Sequence, residues 1–349
     1  MNRTVLDSLN EGLLSALKQN DQVILLGEDI LDPYGGAFKV TRGCSTAYPG
    51  QVITTPISEG GLAGVAAGMS LRGLRPVLEI MFGDFITLTM DQLVNHISKF
   101  RWMYHDSVRL PMVLRTPMGG RRGYGPTHSQ TLEKLLMGVP GFTMAAPINL
   151  LDSSHPQQPG ALLEELILHS EDPVLFIENK LQYLLPLYSS EDLSDVEITR
   201  TIDSQDERGC FPTYTLRLKG APPPQLTLTA YGYMAELGRQ AMLKLAYEEE
   251  IFTELVIPTR LVPVKLSAVI DSVRRTGKLI TLEEGSLTLG WGAEVLARVS
   301  EHFSGAPLVT ARVAALDLPV PAAPSLEREV LPQVENILQT VRKVVNHDG

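Results

Sequence analysis

Glu59 stands in the run Thr54-Thr55-Pro56-Ile57-Ser58-Glu59-Gly60-Gly61-Leu62-Ala63-Gly64-Val65-Ala66-Ala67-Gly68, between an apolar strand-like approach (Val52, Ile53) and a segment made almost wholly of Gly and Ala. The proline fixes the chain's direction just before the acid, and the glycines let a second backbone or a flat ligand come close. A carboxyl so placed is poorly solvated and should be able to share a proton at neutral pH. The same pattern also describes a helix cap followed by close helix packing. Glu28, in Gly27-Glu28-Asp29, follows an apolar strand-like run at an edge where α/β proteins bind ligands, and an acid there is equally a helix-entry residue. His128 opens His128-Ser129-Gln130 after the glycine-rich loop 118–126, and a loop imidazole can give or take a proton near neutral pH. That loop also carries Arg121 and Arg122, whose guanidinium groups suit carboxylates or phosphates, or form an exposed pair that only solvates the loop or meets an acidic residue of a partner chain.

The elements that must position these residues alternate. Strand-like runs at Val23–Gly27, Pro76–Ile80, Met112–Arg115, Thr143–Pro147 and Val174–Glu178 are separated by amphipathic segments around 4–18, 60–72, 87–105 and 131–138. This predicts an α/β domain with a mostly parallel sheet. Residues 189–224 change character, with Ser190-Glu191-Asp192, the polar stretch 203–208 and Pro222-Pro223-Pro224, and read as a surface connection holding one short strand, Thr213–Leu218. A second alternating unit follows: strands at 226–230, 255–257, 278–283 and 308–313, and helices at 234–247, 266–274, 292–302 and 332–345. The expected division is a domain over 1–188, a connection over 189–224 and a smaller α/β domain over 225–349.

Composition bounds the possibilities. At 349 residues two domains are expected, and 44% hydrophobic with 20% charged residues describes a soluble globular chain. No run reaches the roughly 18 apolar residues of a membrane span, and the N-terminus lacks a signal-peptide core, so a cytoplasmic location is expected. The two cysteines, Cys44 and Cys210, lack metal-like neighbours, which excludes a disulfide framework and a zinc site. A net charge of −10 argues against nucleic acid as a partner.

Glu59 followed by Gly64-Val65-Ala66-Ala67-Gly68 resembles the thiamine-diphosphate signature of a glutamate, four residues, then Gly-Φ-x-x-Gly. The wider chain is similar to the β subunit of the thiamine-dependent, decarboxylating component of 2-oxo acid dehydrogenase complexes (pyruvate, branched-chain and acetoin types). The likeness runs in order through Gly27-Glu28-Asp29, Gly36 to Gly43, Thr55 to Glu59, Gly73-Leu74-Arg75-Pro76, Asp91-Gln92, His128-Ser129-Gln130, Asp172-Pro173-Val174, Glu283-Glu284-Gly285, Gly290 to Glu294, and Asp317 to Pro321.

The resemblance implies a transketolase-like pyrimidine-binding domain followed by a transketolase C-terminal-like domain used in assembly. It implies that Glu59 hydrogen-bonds N1′ of the aminopyrimidine, that Phe85 lies against that ring with Phe82 as the nearby competitor, that Glu28 joins the polar network, and that His128 assists acyl transfer to a lipoyl group. Departures matter too. Arg121-Arg122 replaces small residues, the 151–160 turn is longer, and Ser170 stands where an Asp usually helps hold a structural K⁺, which leaves Met112, Ile167, Leu168 and Asp172 as its remaining candidate ligands. Nowhere does the chain carry the Gly-Asp-Gly stretch, followed by Asn, that holds diphosphate and Mg²⁺; Gly83-Asp84 runs into Phe85. An α subunit is therefore expected to supply that half, in an assembly of two α and two β chains acting on a 2-oxo acid. The acyl unit would pass to a lipoyl-bearing acyltransferase or, in a specialised biosynthetic relative, to a carrier protein; a non-catalytic assembly subunit is the rival from another class.

Overall fold

The structure is a computed structural model that describes residues 3–151, 159–203 and 210–346; most of the longer 151–160 turn and of the polar stretch 203–208 lies outside them. The chain forms two compact units, Met1–Gly119 with Leu135–Leu187, and Gly120–Lys134 with Tyr188–Gly349. The segment bearing Arg121, Arg122 and His128 thus belongs to the second unit, with the C-terminal half.

The first unit contains α1 (Val5–Gln19), β1 (Val23–Gly27), α2 (Cys44–Ala47), β2 (Val52–Thr54), α3 (Glu59–Leu71), β3 (Arg75–Glu79), α4 (Phe100–Met103), β4 (Val113–Met118), β5 (Thr143–Ala145), α5 (Gly160–His169) and β6 (Val174–Asn179). Its strands lie in the order β5-β6-β4-β3-β1-β2, all parallel. Their runs of Val, Ile and Leu are buried from both faces, as a helix-covered parallel sheet requires. Thr4 caps α1 through a reciprocal pairing with Asp7, and Val5, Leu9, Leu13 and Leu17 form its buried stripe. Helix α5 crosses α1 at two glycines: a Cβ on Gly12 would overlap the backbone of Gly160, and one on Gly160 would overlap Ser8.

The expected helix over 87–105 is broken into a 3₁₀ segment (Gly83–Thr89), a π turn (Gln92–Ile97) and α4. Within the first piece the Thr87 and Thr89 hydroxyls donate to the carbonyls of Asp84 and Ile86, three residues back. Of the amphipathic stretch 131–138 only one 3₁₀ turn, Glu133–Leu135, is helical.

The second unit contains β7 (Val196–Ile202), β8 (Pro212–Leu218), β9 (Leu226–Ala230), α6 (Gly232–Glu249), β10 (Thr253–Pro258), β11 (Arg260–Val262), α7 (Ser267–Thr276), β12 (Lys278–Ser286), α8 (Trp291–His302), β13 (Val309–Ala315), α9 (Pro324–Val330) and α10 (Val334–Val345). Its sheet runs β13-β12-β9-β10-β8-β7, parallel from β13 to β10 and antiparallel from β10 to β7. The stretch 189–224 is therefore more than a connection, since it adds two strands to this sheet. Among the described residues, no helix is long and apolar enough to cross a membrane.

Candidate functional site

Glu28 and Glu59 are brought together by strand register. Gly27, the last residue of β1, is level with Thr54 of β2, and the Thr55 N–H donates to the Gly27 carbonyl at 3.1 Å. The chain leaving β1 therefore runs beside the turn that enters α3, and Glu28 accepts the backbone N–H of Ser58. Both carboxyls are buried, at 7% and 6% exposure. Glu28 Oε1 is buried with no hydrogen-bond partner. Burial, and then the neighbouring Glu59, push the Glu28 carboxyl above its ordinary range.

The glycines after Glu59 let α3 sit close to the 83–97 segment. A Cβ on Gly60 would lie 3.0 Å from the Leu88 carbonyl oxygen, and one on Gly64 would lie 3.5 Å from Gln92 Oε1. That segment carries Phe85, half-buried and edge-on to Phe82 with ring centroids 5.9 Å apart. Phe82 in turn meets Phe38 edge-on at 5.5 Å, and Phe38 lies 5.6 Å from Tyr183. Phe82 is thus held inside an aromatic stack, while Phe85 stands at its end. The loop carrying Phe38 is pinned by Asp32, whose carboxylate accepts the Gly43 N–H (2.8 Å), the Ser45 hydroxyl (2.7 Å) and both the N–H and hydroxyl of Thr46 (2.9 and 2.7 Å). These bonds hold the Asp32 carboxyl far below the usual carboxylate range.

Behind the strand ends lies a buried ionic network that sequence reading missed. Arg115 on β4 bonds Glu178 through Nε at 2.7 Å and NH2 at 2.6 Å, and also bonds Glu79. Tyr183 donates to Glu178 as well. Burial alone would lower the Arg115 pKa, but Glu178 and Glu79 keep it above its ordinary value; burial raises Glu79 despite Arg115. Charges inside strands otherwise full of Val, Ile and Leu were the available signal.

The candidate K⁺ ligands do not fit a cation. The Ile167 carbonyl accepts Arg75 Nε at 2.6 Å, the Met112 carbonyl accepts the Val174 N–H at 2.9 Å, and Asp172 is bonded to Arg101 at 2.5 Å. Arginine already supplies the positive charge at two of these groups. Among the described residues no group of three or more His, Cys, Asp or Glu could hold a metal ion.

In the second unit, His128 is half-buried, its N–H donates to Gly125 (3.3 Å), and its Nδ1 pairs with the Thr127 hydroxyl (2.9 Å). Arg121 and Arg122 do not act as a pair. Arg121 adopts a left-handed backbone (φ 68°), its N–H donates to Glu327 Oε1 at 2.6 Å, and its guanidinium donates to the Pro332 carbonyl at 2.5 Å. It also lies 3.7 Å from Glu284 and stacks over Tyr233. Such a side chain is an anchor, which corrects the expectation of a guanidinium pair directed at ligand. Arg122 is exposed, its guanidinium 5.9 Å from the centroid of the Tyr124 ring.

Two known domain families match most of the chain. Residues 2–184 match the transketolase pyrimidine-binding domain family, and 218–337 match the transketolase C-terminal domain family. The chain is 32% identical to the mitochondrial pyruvate dehydrogenase E1 component subunit beta-1 of Arabidopsis thaliana, over 97% of this chain and 88% of that one. It is 29% identical to the pyruvate dehydrogenase E1 component subunit beta of Rickettsia bellii, over 99% of each. A solved split-gene transketolase, described as an inactive β4 tetramer, superposes with a TM-score of 0.71 at 19% identity over 97% of each chain, a likeness of fold.

Proposed function

The chain belongs to the transketolase-like, thiamine-dependent family of pyruvate dehydrogenase E1 β subunits, and from that premise we propose that it decarboxylates a 2-oxo acid and passes the acyl unit to a lipoyl group, at a site completed by an α subunit. The observation that carries the reading is the buried Glu28–Glu59 pair at the carboxyl edge of β1 and β2.

Thiamine diphosphate fits what the first unit presents. A flat aminopyrimidine suits the half-buried Phe85 face, the close glycines of α3 leave room for it, and the unpartnered Glu28 Oε1 can take a donor. When bound, that cofactor supplies the carbon that attacks the substrate ketone. Glu59 would hold a proton at N1′, and Glu28 would keep that carboxyl's surroundings polar and water-poor. His128 would donate or accept a proton as the acyl unit leaves for the acceptor. The diphosphate and its Mg²⁺ would rest on the α chain, because no Gly-Asp-Gly stretch exists here. We place the enzyme in the cytoplasm, with two α and two β chains and a lipoyl-bearing acyltransferase as partner.

Glu59→Gln in the chain paired with its α subunit should keep assembly and lose about 10²–10⁴-fold in decarboxylation rate. A rate near that of the wild type would overturn the assignment.

A further inference from the structure

Glu133, Glu283 and Glu284 are among the buried acids of the second unit, and none takes part in the reaction as proposed. Glu284 is spent on the Gly120 N–H, which it accepts at 2.7 Å. Glu133 and Glu283 are different. Each is 0% exposed, and each keeps one buried carboxyl oxygen, Oε2, without a hydrogen-bond partner. Glu133 Oε1 accepts the Tyr231 hydroxyl. Glu283 Oε1 accepts the Gly292 N–H at 3.0 Å, and the room for this carboxyl is made by Gly290 and Gly292, where any Cβ would collide with it.

The two acids flank the same glycine: a Cβ on Gly285 would lie 3.4 Å from Glu133 Oε1 and 3.9 Å from Glu283 Oε2. Trp291 closes the cluster, edge-on to Tyr231 at 5.1 Å.

The charged neighbours are committed elsewhere. Lys134 Nζ donates to the carbonyls of Ser286 and Thr288, at 3.2 and 2.7 Å, and to the Ser286 hydroxyl at 2.5 Å. Arg312 donates to the Leu287 carbonyl at 2.8 Å, and Arg121 to Pro332 at 2.5 Å. Two dry carboxylates without a bonded cation are costly, whereas one carboxylic acid donating to one carboxylate satisfies both.

We propose that Glu133 and Glu283 hold a single proton between them, and that this acid pair is a positioning clamp that seats the His128-bearing segment 120–134 on strand β12. The segment is held at its other end by Arg121 on Glu327 and Pro332, so the clamp decides whether its far end stays down. Burial, followed by the opposing acid, raises Glu283 to about 7, and burial raises Glu133 as well. Because the folded values are raised, seating is strongest where both states are protonated. It weakens as pH climbs from the ordinary carboxyl range to about 7, and then levels off. The consequence for acyl transfer rests on the role proposed for His128.

Amide hydrogen exchange of segment 126–133 in the full-length chain tests the clamp. In the wild type, after correction for hydroxide catalysis, protection should fall by up to about tenfold per pH unit between pH 5 and 7 and then flatten. Glu133→Gln and Glu283→Gln, each of which replaces the shared proton by an amide donor, should make that slope shallower, because the opposing acid is gone while burial remains. A flat wild-type profile, an unchanged slope in both variants, or protection that follows K⁺ concentration at fixed pH would overturn the proposal. In the enzyme with its α subunit, Glu133→Ala should lower kcat for acyl transfer about tenfold. KM for the 2-oxo acid and decarboxylation with an artificial acceptor should be unchanged, and Glu133→Gln should restore kcat. If exchange behaves as expected and acyl transfer does not respond, the clamp stands and the role given to His128 falls.

Discussion

The Ser58 backbone N–H donates to the Glu28 carboxylate, so the residue that precedes α3 is bonded to the residue that follows β1. This one bond sets Glu59, the next residue, beside a second buried acid. The site is therefore a pair of like charges sharing poor solvation, and the protein tolerates it because Glu28 is raised toward its neutral form.

Glu28→Gln should relieve that pair. A carboxyl whose folded pKa is raised costs nothing below its ordinary range; the cost grows as pH rises toward the folded value and persists above it. The variant should unfold at a higher temperature than the wild type at pH 7, on a scale of roughly 2–4 °C per kcal/mol, and at the same temperature at pH 4. Differential scanning fluorimetry at the two pH values decides it; a lower unfolding temperature at pH 7 would mean that the charge is stabilising.

Arg115→Met should be among the most damaging substitutions in the first unit. It leaves Glu79 and Glu178 buried without their cation, a loss of about 3–5 kcal/mol. Urea denaturation should show a midpoint shift of that size with an unchanged slope. A shift under about 1 kcal/mol would show that the two acids simply take up protons.

Gly160→Ala should separate α5 from α1, because the added methyl meets the Ser8 carbonyl. Overpacking against backbone costs about 1–3 kcal/mol. A variant as stable as the wild type would mean that the helices slide without penalty.

Arg121 and Arg122 should part company under mutation. Arg122→Ala should leave stability within about 0.5 kcal/mol and raise KM for an anionic substrate or acceptor, more so at low salt. Arg121→Ala should instead loosen segment 120–134, seen as faster proteolysis there. Equal kinetic effects from both would restore the idea of a pair.

The isolated chain should bind thiamine diphosphate weakly, since the anchoring contacts are assigned to the α subunit. Calorimetry giving micromolar, Mg²⁺-dependent affinity for this chain alone would contradict the divided site.

Most strands were legible because runs such as Val23–Gly27 and Val174–Asn179 are apolar throughout and short. Strand β7 was not: Val196, Ile198 and Ile202 alternate with Glu197, Thr199 and Thr201, but Arg200 interrupts the apolar face and the acidic stretch before them suggested a surface connection. Helix α5 was hidden by its run of Leu and by the Pro-containing turn before it, and α9 by its start at Pro324, just behind Pro319 and Pro321. Glu59 could be found because its neighbours are conspicuously small. Glu133 could not, since an acid between Leu132 and Lys134 looks like an exposed helical residue until Tyr231 and Glu283 are placed around it.

Asp32 gives the Phe38 loop a contrasting temperament. Its carboxylate is held ionised by four donors and stays so throughout the range in which cells live. A drift in acidity therefore passes that loop by, leaving the aromatic wall of Phe38 and Phe82 in place. If the proposed clamp holds, the segment that carries His128 responds to a change between mild acidity and neutrality that the Phe38 loop does not feel.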